Sequence, residues 1–163
     1  MTHVLSRTQL VPAPLEEVFE FFSRPENLAR ITPNWLHFQI VGGGQLEMRQ
    51  GLQIQYRIRP IGLPQRWVSS ITVYDPPHRF VDEQVQGPYS YWRHLHEFEP
   101  ASAGRGAPRT RVHDRVEYRL PFGPLGLLAH AVLVRRQLEA IFDHRERVIV
   151  GLWGAEGSAS DLA

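Results

Sequence analysis

The stretch PFGPLGLLAHAVLVRRQLEAIFDHRERVIV, residues 121–150, decides the fold class. Its first four residues end any preceding strand, because proline cannot donate to a sheet ladder and glycine favours turns. Beyond them, one set of positions recurs alternately four and three residues apart, which is the spacing of a single helix face. These positions are Leu127, Ala131, Val134, Leu138, Ile141, Arg145 and Val148, with Arg145 the one charged member. The stretch therefore predicts a long amphipathic helix that ends near Val150.

The residues before this helix predict a sheet. Residues 38–120 consist of short runs separated by glycine and proline, and in residues 52–58 apolar and polar side chains alternate, as in a strand with one buried face. Six strands fit there, and their connectors are too short for helical crossovers, so they must be antiparallel. Residues 3–11 predict a first strand, followed by two short helices around residues 14–22 and 25–30. The pattern is that of an α+β domain in which the last helix covers one sheet face.

Composition excludes several classes of function. The 163 residues contain no cysteine and no lysine, so disulfides, thiolate metal sites, cysteine nucleophiles and lysine Schiff bases are impossible. The net charge of +1, with acidic and basic residues interspersed, argues against a nucleic-acid partner. We find no leader and no apolar run long enough to span a membrane, and expect a cytoplasmic protein. One domain over residues 1–153 with a flexible tail over residues 154–163 is predicted.

Two sets of residues resemble a known superfamily. The first is Val11-Pro12-Ala13-Pro14, Val18-Phe19, Phe22, Pro25-Glu26-Asn27-Leu28 and Thr32-Pro33; the second is Gln86-Gly87-Pro88-Tyr89, Trp92-Arg93-His94, residues 114–121 and Arg135-Arg136-Gln137-Leu138. Together with the order of elements, the first set resembles the SRPBCC superfamily, also called START-like or birch-pollen-allergen-like. The second resembles its bacterial polyketide cyclase/dehydrase-like branch. The resemblance implies a helix-grip fold, in which a curved seven-stranded antiparallel sheet wraps the C-terminal helix and leaves an apolar cavity.

Assigning strand faces identifies a candidate site. The more apolar alternating set of each strand should face the core, which turns Trp67, Ile71 and Val73 inward on one strand and Val81 and Val85 on the next. Glu83 then faces inward as well. A turn at residues 87–90 sets Glu83 opposite His94, and a plausible register of the following pair sets His96 opposite Asp114.

The resulting cluster of Glu83, His94, His96 and Asp114 has three interpretations. The acid–histidine pairs could be structural, or they could orient a ligand within a mainly apolar pocket. Acid–base catalysis or metal binding is the third, since His-x-His with a carboxylate is an acceptable zinc or iron ligand set. The prediction from sequence is that no metal and no cofactor is bound.

Aromatic side chains beneath the final helix are expected either to form core or to line the cavity. The predicted ligand-binding set is Tyr56, Trp67, Trp92, His94, His96, Phe98, Asp114, Tyr118 and Leu138. The aliphatic part of the Arg145 side chain is expected to lie along the cavity rim, with the guanidinium group in solvent or on a carboxylate. The alternative is that Arg145 binds an anionic group of a ligand. The connectors 60–64 and 120–126 carry apolar residues between prolines and glycines, as a cavity mouth, a transient membrane contact or a hydrophobic plug would.

These observations favour a protein that binds or carries a small hydrophobic or amphipathic molecule, such as a lipid, an isoprenoid quinone or a polycyclic aromatic. One alternative is a cyclase- or dehydratase-type enzyme, in which Asp114 or Glu83 polarises His96 or His94 as a general base. The other is a protein-interaction helper whose cavity is filled by its own side chains. The sequence predicts no oligomeric state.

Overall fold

A computed structural model describes residues 1–42, 46–60, 62–101, 106–121, 123 and 133–154. The described helices are α1 (Leu15–Phe22), α2 (Pro25–Leu28), a short 3-10 helix (Asn34–Leu36) and α3 (Arg135–Trp153). The strands are β1 (His3–Val11), β2 (Gln39–Ile40), β3 (Gln53–Ile58), β4 (Gln65–Asp75), β5 (Arg79–Gln86), β6 (Tyr91–Pro100) and β7 (Thr110–Arg119). The seven strands, the two short helices after β1 and the long last helix confirm the predicted helix-grip architecture.

All seven strands belong to one antiparallel sheet with the order β1-β7-β6-β5-β4-β3-β2. The strands β2 to β7 follow one another as a meander, and β1 forms one edge of the sheet by pairing with β7 along its whole length. Every second residue of β7 is buried, because successive side chains point to opposite faces of a strand. The inner face of the sheet is therefore set by alternation along each strand.

The sheet and helices enclose two main apolar regions. Under α1, the rings of Phe19 and Phe22 pack edge-on against Phe98, and Ile149 and Trp153 of α3 complete this region. The Trp153 indole N–H donates to Glu17 at 2.7 Å, which ties the end of α3 to α1. A second region, formed by Leu5, Val116, Tyr118, Leu138 and Phe142, joins the start of α3 to β1 and β7. Between these two regions, α3 and the sheet leave the space described below.

The buried face of α3 differs in part from the predicted one. Leu138 and Arg145 are buried as the spacing predicted, but Phe142, Ile149 and Trp153 are its other buried members. Ile141 and Val148 lie at the edge of that face and are half-buried. Leu127, Ala131, most of the connector 120–126 and the tail beyond Gly154 lie outside the described residues. Among the helices that the structure describes, none is long and apolar enough to span a bilayer.

Candidate functional site

A cavity of about 340 Å³ lies between the inner face of the sheet and α3. Its wall is mainly apolar: Tyr56, Trp67, Tyr89 and Trp92 form an aromatic surface on the sheet side, and Ile141 of α3 faces them. The volume falls in the range of about 300–1,000 Å³ that is typical of small-molecule pockets. The polar members of the wall are concentrated in one cluster, which consists of Ser69, Asp82, His94, His96 and Arg145, with Asn27, Thr32, Gln65 and Gln137 elsewhere.

The predicted ligand-binding residues divide into two groups. Six of them line the cavity: Tyr56, Trp67, Trp92, His94, His96 and Leu138. Three do not. Phe98 is packed under α1 between Phe19 and Phe22, Tyr118 lies behind Trp92, and Asp114 lies behind the two histidine rings. The residues of the far end of β6 and of β7 therefore support the wall without forming it.

The register of β6 on β7 is as predicted, with His96 opposite Asp114. The register of β5 on β6 is not: Asp82 lies opposite His94, and Glu83 lies opposite Arg93. Glu83 consequently points to the outer face, where its carboxylate contacts the Arg93 guanidinium at 3.4 Å. The predicted inward position of Glu83 is wrong, and Asp82 takes its place in the cluster.

The cause of this error is the pattern of β5. Its outer face carries the apolar Val81 and Val85, so the more apolar set was not the inner one. Two irregularities in the β4–β5 pairing, at Val68/Ser69 and at Ile71/Val73, also change which residues of β4 share a face with β5. As a result, Ile71 pairs with Asp82 on the inner face, whereas Val73 pairs with Val81 on the outer face.

Two closely spaced histidine rings, inclined at 36° to each other, lie between two carboxylates. The ring centroids of His94 and His96 are 3.7 Å apart. On one edge, His94 Nε2 and His96 Nδ1 each lie 2.8 Å from Asp114 Oδ1, although only the first contact has hydrogen-bond geometry. On the other edge, His94 Nδ1 and His96 Nε2 lie 3.6 and 3.3 Å from Asp82 Oδ2. All four ring nitrogens thus face an oxygen.

Arg145 reaches this cluster from α3. Its guanidinium lies 3.4 Å from Asp114 Oδ1 and 4.7 Å from the ring centre of Phe142, and the residue is 6% exposed. Of the two expected positions for its head, the carboxylate is the one observed, but within the interior and not at the rim. Burial alone would raise the pKa of Asp114; Arg145 and then the two histidines outweigh burial and hold that pKa well below its usual value.

The pKa values of the two histidines are shifted in opposite directions. Burial lowers the pKa of His94 to about 4, with a contribution from the neighbouring His96, so His94 is neutral at pH 7. Burial also acts to lower the pKa of His96, but contacts with Asp114 and Asp82 outweigh it and raise the pKa above the usual value. The pKa of Asp82 is lowered, because contacts with His96, His94 and Ser69 outweigh its burial. The cluster therefore holds two carboxylates opposed by Arg145 and a His96 that favours its charged form.

Ser69 extends the cluster along the aromatic wall. Its Oγ lies 3.2 Å from Asp82 Oδ1, and an ionised carboxylate can only accept, so the Ser69 hydroxyl donates. Ser69 Oγ in turn accepts from Trp67 Nε1 at 3.0 Å and, having no second hydrogen, from the Tyr56 hydroxyl at 3.2 Å. Sequence analysis missed both Ser69 and Asp82; the alternation that identifies Ser69 is the one that turns Trp67 and Ile71 inward.

The hydrogen-bond directions leave free acceptors on residues that line the cavity. Asp114 is ionised, so the proton of neutral His94 is on Nε2, and Nδ1 keeps its lone pair. The Tyr56 oxygen and the remaining lone pairs of Asp82 are acceptors too. Such a wall can bind a group that donates hydrogen bonds, take up a proton, or ligate a cation. Among the described residues, two buried nitrogens of the cluster have no hydrogen-bond partner, His96 Nδ1 and the Nε of Arg145.

Pro60 and Leu120 line the cavity, as does Leu133, two residues before α3 begins. Leu63, in the connector that follows β3, is 63% exposed. Pro60 and Leu120 belong to the two predicted connectors, and a cavity mouth there stays a prediction. Transient membrane contact at this mouth stays a prediction.

Known proteins share this architecture. The family model described as polyketide cyclase / dehydrase and lipid transport matches residues 2–148. Among solved structures, the Zhui aromatase/cyclase from Streptomyces sp. R1128 has a TM-score of 0.65 at 18% identity, covering 94% of each chain. A norcoclaurine synthase point mutant from Thalictrum flavum has a TM-score of 0.62 at 16% identity, covering 93% of this chain and 96% of its own.

The protein TTHA0849 from Thermus thermophilus has a TM-score of 0.66 at 18% identity, covering 92% of this chain and 99% of its own. At these identities the likeness shows the fold alone. No curated protein matches the sequence at a significant level. The chain belongs to the polyketide cyclase / dehydrase and lipid transport family of the SRPBCC superfamily, which confirms the resemblance found in its sequence.

Proposed function

We propose that this protein binds a small, mainly apolar molecule carrying a hydroxyl group, with the apolar body between the aromatic wall and α3 and the hydroxyl on Asp82. Polycyclic aromatics, quinols and lipids with a hydroxyl head belong to this class. The observation that carries the proposal is the combination of an apolar cavity of about 340 Å³ with acceptors gathered at one place on its wall. Family membership supports a hydrophobic ligand but does not select among ligands.

The chemistry of the wall favours a ligand that donates. The hydrogens of Ser69, Trp67 and Tyr56 are directed to oxygens of the wall itself, whereas His94 Nδ1 and Asp82 retain lone pairs. A hydroxyl that donates to the ionised Asp82 forms a charge-assisted hydrogen bond, worth about 1.5–3 kcal/mol. An apolar analogue without the hydroxyl would occupy the same space and leave these acceptors without a new partner.

The test compares 2-naphthol with naphthalene, two probes that differ by one hydroxyl. We expect the parent protein to bind 2-naphthol about 10- to 100-fold more tightly, from the strength of a hydrogen bond to a charged group. Asp82→Asn should reduce that preference, and Glu83→Gln, the adjacent residue on the outer face, is the matched control and should retain it. Equal affinities of the parent for both probes would contradict the proposed role of Asp82.

Native mass spectrometry of protein incubated with bacterial lipid extract tests the ligand class more broadly. We expect a co-purifying small molecule that is displaced by 2-naphthol. Recovery of protein without any added mass, together with no thermal shift across lipophilic compounds, would argue against a binding function.

A second candidate is a cyclase- or dehydratase-type enzyme, and His94 is the observation that favours it. Its Nε2–H is directed to Asp114, its low pKa keeps it neutral at pH 7 with a lone pair on Nδ1, and the residue lines the cavity. These are the features of a general base that removes a proton next to a carbonyl group. The protein-interaction hypothesis expected a filled interior, and the described residues leave the cavity open instead.

Proton exchange tests this candidate without knowledge of the full reaction. In D₂O, a base in the cavity would replace the protons next to the carbonyl of 2-tetralone by deuterium, which NMR detects. We expect exchange faster than in buffer, lost in His94→Gln and retained in the control Glu83→Gln. Exchange at the buffer rate in the parent would remove the support for an enzyme.

A further inference from the structure

We propose that Asp82, His94 and His96 form a binding site for one divalent transition-metal ion of the zinc or iron(II) class, open towards the cavity. The site would use Asp82 Oδ2, His94 Nδ1 and His96 Nε2 as ligands. This inference does not depend on the apolar ligand proposed above, because it concerns only atoms of the wall.

The positions of the three atoms support the proposal. Asp82 Oδ2 lies 3.3 Å from His96 Nε2 and 3.6 Å from His94 Nδ1, and all three atoms lie within 4.8 Å of one another. Zinc binds nitrogen and oxygen ligands at about 2.0–2.2 Å, and tetrahedral angles then separate two ligands by about 3.3 Å. An ion would replace the hydrogen that His96 Nε2 donates to Asp82, since the separation of these two atoms already matches that of two tetrahedral ligands.

The opposite edge of the ring pair supplies the support that metal-bound histidines have. A histidine that binds a metal through one nitrogen usually donates its other N–H to a carboxylate, which fixes the ring. Here His94 Nε2 and His96 Nδ1 each lie 2.8 Å from Asp114 Oδ1, and Arg145 in turn lies 3.4 Å from the same oxygen. Asp114 therefore orients the His94 ring through a hydrogen bond and lies close to Nδ1 of the His96 ring without hydrogen-bond geometry, and Asp82 remains for the ion.

The strands hold the three ligands together. His94 and His96 are two residues apart on β6, so both face inward, and Asp82 of β5 lies directly opposite His94. The histidines are 5% and 6% exposed, and all three residues line the cavity. Three protein ligands beside a cavity leave a coordination position for water or for an oxygen of a bound molecule.

Cobalt(II) and zinc(II) are the probes for this site. Tag-free protein is treated with chelator and dialysed, then titrated with Co²⁺ under visible absorption and loaded with Zn²⁺ for elemental analysis. We expect one bound ion per chain and d–d absorption bands. Asp82→Asn and His96→Gln should each weaken binding at least 100-fold, and Asp114→Asn, which removes the support of the rings, about 10- to 100-fold.

The control variants are Glu83→Gln and His113→Gln, both on the outer face, and both should bind as the parent does. No binding by the parent, or binding lost in His113→Gln and unchanged in Asp82→Asn, would overturn the proposal. Should the cluster variants not fold, long-range proton–nitrogen NMR of the parent decides the question. Zinc should then move the nitrogen resonances of His94 Nδ1 and His96 Nε2 and leave those of His78 and His113 unchanged. The reverse pattern would also overturn the proposal.

Discussion

Replacing Arg145 by methionine tests the electrostatic arrangement on which the site depends. The guanidinium and the Asp114 carboxylate are 3.4 Å apart, and each side chain is 8% exposed. At an effective dielectric constant of about 20, unit charges at this distance attract by about 5 kcal/mol. Removing one partner of a buried pair costs about 3–5 kcal/mol, and because His96 still opposes Asp114, we expect about 3 kcal/mol.

The measurement is urea unfolding of metal-free protein at pH 7, monitored by tryptophan fluorescence. A loss of about 3 kcal/mol corresponds to a fall in Tm of about 6–12 °C for a chain of this length. Arg135 is the control on the same helix: its pair with Glu139 is surface-exposed, so Arg135→Met should cost about 0–1 kcal/mol. In the double variant Arg145→Met/Asp114→Asn, the loss should be smaller than the sum of the single losses, because no unpaired carboxylate remains.

A loss below about 1 kcal/mol in Arg145→Met, equal to that of Arg135→Met, would refute this reasoning. It would mean that the interior around Asp114 is far better solvated than its burial indicates. Additive losses in the double variant would show that the two residues do not interact, and the explanation for the low pKa of Asp114 would then be wrong.

Three other perturbations give separate tests. The pKa of His94 is about 4 in the folded state and about 6.5 in the unfolded state, so between these pH values only the unfolded state binds the proton. The free energy of unfolding should therefore fall by about 3 kcal/mol from pH 6.5 to 4. Urea unfolding of metal-free His94→Gln should show a correspondingly smaller fall over the same pH range. Ser69→Ala leaves Trp67 Nε1 and the Tyr56 hydroxyl without their acceptor, so thermal unfolding should show a loss of stability of about 1–3 kcal/mol. An unchanged Tm would contradict the assigned hydrogen bonds. Leu138→Trp should abolish 2-naphthol binding by filling the cavity. Phe98 lies outside the wall, so Phe98→Leu should lower stability and leave the affinity for 2-naphthol within about twofold of the parent value. The opposite result would place the ligand under α1.

The sequence predicted the architecture because its signals are local. The spacing of residues 121–150 marks a helix, and clean alternation in β6 and β7 gives a register in which His96 faces Asp114. β5 lacks such a signal, since Val81 and Val85 make its outer face the more apolar one. The choice between Asp82 and Glu83 therefore depended on one residue of register, which alternation alone does not determine there.

Contacts between distant elements were less predictable. The helix pattern singled out Arg145 as an interruption, but its partner depends on how α3 crosses the sheet, which no periodicity encodes. Phe98 shares a face with His94 and His96, yet β6 is about 33 Å long and the cavity covers only one end of it. Ser69 is a small polar residue without a sequence signature, and its role follows from the three groups around it.

The sandwich of two imidazoles between Asp82 and Asp114, with Arg145 beyond, has a consequence for selectivity. In the metal-free protein with His96 in its charged form, the two negative and two positive groups cancel, so a guest molecule meets a strong local dipole but no net charge. Uncharged guests should then be preferred over carboxylates and amines of the same shape, because an ionic guest would lose its hydration without gaining a counter-charge. For the same reason, their affinity should hardly change with ionic strength.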